Sequence, residues 1–334
     1  MSKLLEVARL AGVSKATVSR VINNSGPVSS ELRQKVLDAM RKLGVQPGEM
    51  KRTPASNGVL GIIMPFGKQI WSHSFGIDIL TGAEEKAFEE NCLILLGNSN
   101  GGREKALVES MLGRGVEGLV VMSTERGRPD HLEQAQRQVP LVLVDQKIES
   151  FSAHLVRGDN FLGAVALMEH LIGQGHRRIA LLSPDTHFSY LERIRGYRQT
   201  LRANGIRLPE TFEAIGDGGD NYDVAARLDK MLREKERPTA LFVASPGLLG
   251  KLIGALHRRG LRIPDDISVV TFDEAYAALP EGYENFFTSI NQSGKLAGSM
   301  AVELLFRQRR DPELAPQEIV LPGTFTARRS VRPL

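Results

Sequence analysis

The chain has 334 residues, 42% of them hydrophobic and 25% charged, with a formal net charge of +4 and a pI of about 9.2, a composition that fits a globular protein of two or three domains. Its single cysteine, Cys92, excludes an internal disulfide and a cysteine-rich zinc site and fits a reducing compartment. No run approaches the roughly 20 apolar residues of a membrane span, and Lys3, Glu6 and Arg9 interrupt any signal-peptide core, so the expectation is a soluble, cytoplasmic protein with no membrane partner.

The charge is uneven. Residues 1–52 hold ten Lys/Arg against four acids, a local +6, which leaves −2 for the rest of the chain. A basic head on a near-neutral body points to a polyanion-binding module joined to something else. Within the head, Leu4, Val7, Ala8 and Ala11 fall at helical spacing, and Gly12 supplies the positive φ of a tight turn. Ser14 is a fitting N-cap for a second helix, Lys15–Ile22. A third helix runs from Ser29/Ser30 to Leu43, with Leu32, Val36, Leu37, Met40 and Leu43 as its apolar stripe and Gly44 as its stop. Helix, tight turn and helix with a third in support form the helix-turn-helix pattern, whose second helix lies in the major groove.

Residues 47–58 (with Pro47, Gly48, Pro54 and Gly58) are rich in breakers and read as a linker. Beyond them, short apolar runs at Val59–Met64, Leu93–Leu96, Gly118–Met122, Leu141–Val144, Arg178–Leu182, Ala240–Val243, Ser268–Phe272 and Ile319–Leu321 read as buried strands. Helical stretches alternate with them, at Ile77–Glu90, Glu104–Leu112, Leu162–Ile172, Leu191–Ala203, Val224–Arg233 and Leu248–Arg258. That alternation predicts βαβ units around parallel sheets, and the length predicts two α/β subdomains. Ligands of such sheets bind outside the carboxyl ends of the strands, so Pro65–Gly67 (with Phe66), Gly97–Asn100, Ser123, Asp145, Ser183–Asp185, Ser245 and Asp273 are candidates.

The run Glu6-Val7-Ala8-Arg9-Leu10-Ala11-Gly12-Val13-Ser14-Lys15-Ala16-Thr17-Val18-Ser19-Arg20-Val21-Ile22-Asn23 resembles the head of the lactose/galactose-repressor (LacI/GalR) family of bacterial transcriptional regulators. The body carries further family-like pieces: Gly158-Asp159-Asn160, Gly175 to Leu182, Arg193 with Gly196-Tyr197, and Gly260 to Asp273. The resemblance implies a small all-α helix-turn-helix head and an α/β body like type I periplasmic binding proteins, two Rossmann-like lobes with parallel sheets. The implied divisions are a head over 1–46, a hinge over 47–58, an N-terminal lobe of 59–158 plus 291–319, and a C-terminal lobe of 159–290 plus 320–334. It implies Lys15, Ala16 and Arg20 as base-reading positions; arginine can pair bidentately with guanine, lysine can donate to guanine or phosphate, and alanine can touch a thymine methyl. Thr17, Ser19 and Asn23 would hold phosphates, as would Lys51 and Arg52 in the linker. Where relatives carry an Ala-Arg-x-Leu hinge core, this chain has Lys51-Arg52-Thr53-Pro54. Two readings stand there: a wedge made by Pro54 or Met50, or a flexible tether.

In the body the resemblance implies that Arg193, Asp273 and Asp145 hold a polyol or nucleobase effector between the lobes. The two aspartates read equally as loop caps. An aromatic wall is sought among Trp71, Phe75, Phe188, Tyr190, Tyr222 and Phe286, each of which also reads as core. Three departures bear on the ligand: His73-Ser74-Phe75-Gly76 after the first strand, Ser245-Pro246 in place of Asn-Asp, and Thr271 in place of a glycine. Fewer acceptors suit a less hydroxylated or an anionic effector, for which His73, Lys68 and Arg193 are the cations at hand. The expected partners are a pseudo-palindromic double-stranded DNA operator, a small-molecule effector and a second copy of the chain, with no cofactor and no metal. The rival reading is an α/β enzyme fused to a DNA-binding head: Gly97-Asn98-Ser99-Asn100-Gly101 matches the nucleophile-elbow pattern, although Asn100-Gly101-Gly102 opposes the helix that must follow such a serine.

Overall fold

A computed structural model describes residues 3–14, 17–18, 20–21, 28–44, 58–65, 74–123, 127–185, 187–217, 222–273 and 279–334. The chain divides into two units, 1–57 and 58–334. In the first, helices α1 (Lys3–Ala11) and α2 (Ser30–Lys42) flank a helical stretch of which 17–18 and 20–21 are described. Val7, Val18, Val21, Val36 and Met40 form its small core. Gly12 turns the chain with φ 66°. Ser14 Oγ then accepts from Thr17 N at 3.1 Å, the expected cap, and Ser29 Oγ caps α2 through Leu32 N at 3.3 Å. Leu32 and Leu43, expected on the apolar stripe of α2, are instead exposed.

The second unit holds two six-stranded sheets. The first is ordered β11 (Glu318–Leu321), β5 (His154–Gly158), β4 (Leu141–Val144), β3 (Leu119–Val121), β1 (Val59–Met64), β2 (Leu93–Asn98), all parallel. The second repeats that order as β12 (Thr324–Thr326), β10 (Thr288–Asn291), β9 (Ser268–Phe272), β8 (Ala240–Val243), β6 (Ile179–Pro184), β7 (Glu213–Gly216), parallel except for β12 against β10. Helices α3 (Ser74–Glu89), α4 (Glu104–Leu112) and α5 (Asp130–Gln136) belong to the first lobe, and α6 (Asn160–Gly173), α7 (Phe188–Ala203), α8 (Val224–Leu232) and α9 (Pro246–His257) to the second. α10 (Gly294–Arg310) returns to the first lobe and packs on α3, β4 and β5. The chain therefore passes between lobes after β5, after β10 and after β11. Because β11 pairs with β5 over its whole length, the last passage falls at residues 322–323, where the sequence reading divides the strand between 319 and 320.

Two sequence expectations need correction. Leu93–Leu96 forms a strand but not a buried one: β2 is the edge of its sheet, with Leu93 72% and Leu96 43% exposed. α10, the longest helix described, was not foreseen. Its contact with α3 runs through glycines: a Cβ on Gly82 would overlap the Lys295 carbonyl, and one on Gly298 would overlap the Ile79 carbonyl.

Candidate functional site

On the head, Arg20 is exposed on the second helical stretch, and Thr17 is half-buried with its Oγ1 2.9 Å from Ser14 Oγ. Thr17 thus starts the helix as well as offering a hydroxyl. Lys15, Ala16, Ser19, Asn23, Lys51 and Arg52 lie outside the described residues, as do linker residues 47–57.

In the body, β4 and β9 occupy the same place in their sheets and end in the same way. Asp145 and Asp273 follow them directly, with φ of 64° and 49°, a left-handed conformation that aspartate tolerates better than most residues. Asp145 N donates to Val156 O and Asp273 N to Ile290 O, both on the neighbouring strand. Both aspartates therefore end their strands in turns, as the loop-cap reading has it, and they also flank a single buried arginine. Arg193, on α7, is 3% exposed. Its Nε donates to Asn160 Oδ1 at 2.7 Å and its Nη1 to the Ala244 carbonyl at 2.6 Å, while Nη2 lies 4.0 Å from Asp273 Oδ2. The guanidinium carbon sits 3.9 Å from the Phe272 ring centroid and 5.3 Å from that of Tyr190, two cation–π contacts suited to a desolvated arginine. Tyr190 Oη is 3.5 Å from Ser245 Oγ.

The carboxylates differ. Asp273 is held by Gln292, whose backbone N and side-chain Nε2 donate to it at 2.9 and 2.7 Å. Asp145 Oδ1, by contrast, is buried with no hydrogen-bond partner among the described residues. Burial, with the Asp273 charge adding to it, pushes Asp145 up to about 6 against the pull of Arg193. An enclosed acceptor without a donor beside a cation already bonded on two sides is a site for a neutral ligand that brings its own O–H or N–H groups.

Arg193, Asp145, Asp273 and Ser245 thus lie together. Tyr222 does not join them: its ring belongs to the second-lobe core, its hydroxyl donates to the Ala214 carbonyl, and Arg227 stacks on it. Phe75 likewise is a core residue of the first lobe beneath α10. Phe66 and Trp71, with Lys68 and His73, lie outside the described residues. Sequence reasoning missed Asn160 and Gln292 as site residues because it missed the strands before them, His154–Gly158 and Thr288–Asn291, whose polar and charged residues hide a buried strand.

The elbow reading fails on geometry. Gly101 and Gly102 both have positive φ, α4 begins only at Glu104, and Ser99 Oγ is buried with no partner among the described residues. His176 is structural, bonded to Thr239 Oγ1 at 2.9 Å and to the Arg332 carbonyl at 3.1 Å.

Comparison with known proteins agrees with both units. Residues 3–48 match the family model for bacterial regulatory proteins of the lacI family, and residues 168–331 match the model for a periplasmic binding protein-like domain. The ribose operon repressor of Escherichia coli (strain K12) is 28% identical over 99% of this chain and 100% of its own. Among solved structures, the complex of the transcriptional regulator CelR with cellobiose superposes with a TM-score of 0.72 at 29% identity, covering 99% of this chain and 100% of that one. The lac repressor dimer bound to operator and the anti-inducer ONPF gives a TM-score of 0.68 at 25% identity, with 99% of each chain covered.

Proposed function

The chain belongs to the lacI family of bacterial regulatory proteins, a DNA-binding transcriptional repressor under effector control and not an enzyme, and from that premise we propose that its effector is a neutral, hydroxyl-rich molecule of the sugar class held between the lobes by Asp145, Arg193, Ser245 and Asp273. The observation that carries this reading is the enclosed Asp145 Oδ1, which has no donor among the described residues. Relatives named for ribose and for cellobiose support the class. An anionic effector fits less well, because Arg193 spends its Nε and Nη1 donors on Asn160 and Ala244 and faces two carboxylates. The effector acts by binding one degree of lobe closure better than another; only that differential affinity, typically ~1–3 kcal/mol of coupling, can move operator affinity.

On DNA, Lys15, Ala16 and Arg20 read base edges, and Thr17, Ser19, Asn23, Lys51 and Arg52 hold phosphates. A homodimer presents two heads to the half-sites of a pseudo-palindrome, since the symmetry of the site mirrors that of the protein. The exposed edge of the first lobe supplies apolar side chains for that dimer: Phe88 near the end of α3 is 75% exposed, and Leu93 and Leu96 of the edge strand β2 are 72% and 43% exposed.

Thermal-shift screening of the full chain against pentoses, hexoses, disaccharides and nucleosides tests the cleft. A stabilising ligand is expected whose effect disappears in Arg193→Ala and in Asp273→Ala; stabilisation that survives both changes places the effector elsewhere. For the head, Arg20→Ala should abolish base-specific footprints while leaving salt-sensitive, non-specific binding, and an unchanged footprint would overturn its role.

A further inference from the structure

The residue that follows Asp145 in the first lobe meets the first residue of α7 in the second. Gln146 Oε1 accepts from the backbone N of Phe188 at 2.9 Å. Phe188 opens α7, and the N–H groups in the first turn of a helix have no acceptor within it. The preceding residue, His187, has the extended backbone of an N-cap, φ −127° and ψ 153°, but makes no side-chain cap. Tyr190 and Leu191 turn their N–H groups back to the His187 carbonyl, while Phe188 N finds its acceptor in the other lobe. Gln146 is only 7% exposed, so the contact is shielded from water. Arg157 supports it from the first lobe: Glu318 of β11 accepts from its Nε at 2.6 Å, and its guanidinium carbon lies 5.4 Å from the Phe188 ring centroid.

We propose that Gln146 is an interlobe helix cap, a positioning residue that completes the N-terminus of α7 only when the lobes are together and so ties lobe closure to the placement of Arg193 on the same helix. The contact stands independently of any ligand; its consequence for effector response rests on the cleft reading above. When the lobes part, water replaces the amide at Phe188 N, so the cap contributes what one exchanged hydrogen bond contributes. That is about fivefold in the ratio of closed to open molecules, or about 1 kcal/mol.

The test measures lobe separation in the full chain without effector. Spin labels at Lys105→Cys and Asp217→Cys, with Cys92→Ala removing the native thiol, sit beyond β2 and β7, at the ends of the sheets far from the interlobe passages. Opening therefore moves them apart. In double electron–electron resonance, Gln146→Ala is expected to shift the population about fivefold toward longer distances, whereas Gln146→Glu, which keeps an acceptor at a helix N-terminus, restores the parent distribution. Phe188→Pro deletes the N–H at the first helical position, where proline is tolerated after an extended residue, and Phe188→Leu controls for the lost ring. In the Phe188→Pro background, Gln146→Ala should have no further effect. An unchanged distribution in Gln146→Ala, or the same shift with and without the Phe188 N–H, overturns the proposal. If Gln146→Ala does not fold, Phe188→Pro decides alone: a distribution matching Phe188→Leu overturns the cap. Because no ligand is used, failure here leaves the effector reading to its own thermal-shift test.

Discussion

Asp145 carries a pH signature that separates its charge from its shape. Its carboxyl is pushed from an ordinary 3.8 up to about 6 by burial. Between those values the folded state holds a proton that the unfolded state has released, so stability falls as pH rises through this window and the full penalty applies above it. A rise of about two units corresponds to about 3 kcal/mol. Asp145→Asn should therefore raise the melting temperature by several degrees at pH 8 and much less at pH 4. Asparagine also suits the left-handed backbone, but that gain is the same at every pH; a pH-independent difference would refute the buried-carboxylate account. An effector that donates to Asp145 binds its ionised form, so in the wild type affinity should tighten as pH rises through about 6. At this scale the sequence was informative where chemistry and position coincide. Arg193, Asp145, Ser245 and Asp273 stand at strand ends or in family-like motifs and do meet. Tyr222 and Phe75 were named because they are aromatic, and aromatic character alone does not tell a ligand wall from a core.

At the scale of elements, the seam between α3 and α10 depends on the absence of side chains. Gly298→Ala would drive a methyl group into backbone atoms of Ile79 and Ala83, and backbone cannot step aside as a flexible side chain can. The two helices must separate, at a cost of about 2–3 kcal/mol. Gly254→Ala on α9 is the matched control: the nearest atom to its Cβ is Arg258 Nη1 at 3.5 Å, and the gain in helix propensity is about 0.5–1 kcal/mol. Chemical denaturation of the two variants should therefore move in opposite directions, and equal shifts would remove the seam as the cause. The same glycines explain why α10 was illegible. Gly294 and Gly298 read as helix breakers in isolation, and only the partner helix shows why they are there. Runs such as Leu141–Val144, Ala240–Val243 and Ser268–Phe272 were legible to the residue because strands covered on both faces have no polar alternation to disguise them.

For the molecule as a whole, the sequence conveyed the two-lobed α/β plan but not which apolar residues end up outside. Leu93–Leu96 looks like any buried strand, and its exposure follows only from its place at the edge of the sheet order. A long apolar edge left open to solvent invites pairing, in keeping with the proposed dimer. Replacing Phe88 and Leu93 together with glutamate should convert the dimer to a monomer by light scattering and weaken operator binding by orders of magnitude, because two linked heads act at an effective concentration that one head lacks. A variant that stays dimeric would move the interface to another face. The three passages between lobes bear also on the timetable of synthesis. β6 to β10 of the second lobe are contiguous in the chain and complete at residue 291, but the first lobe waits for α10 and β11, which end at Leu321. A chain leaving the ribosome thus presents β1 and α3 early and covers them last, and the apolar face of α3 spends most of translation in need of a chaperone's cover.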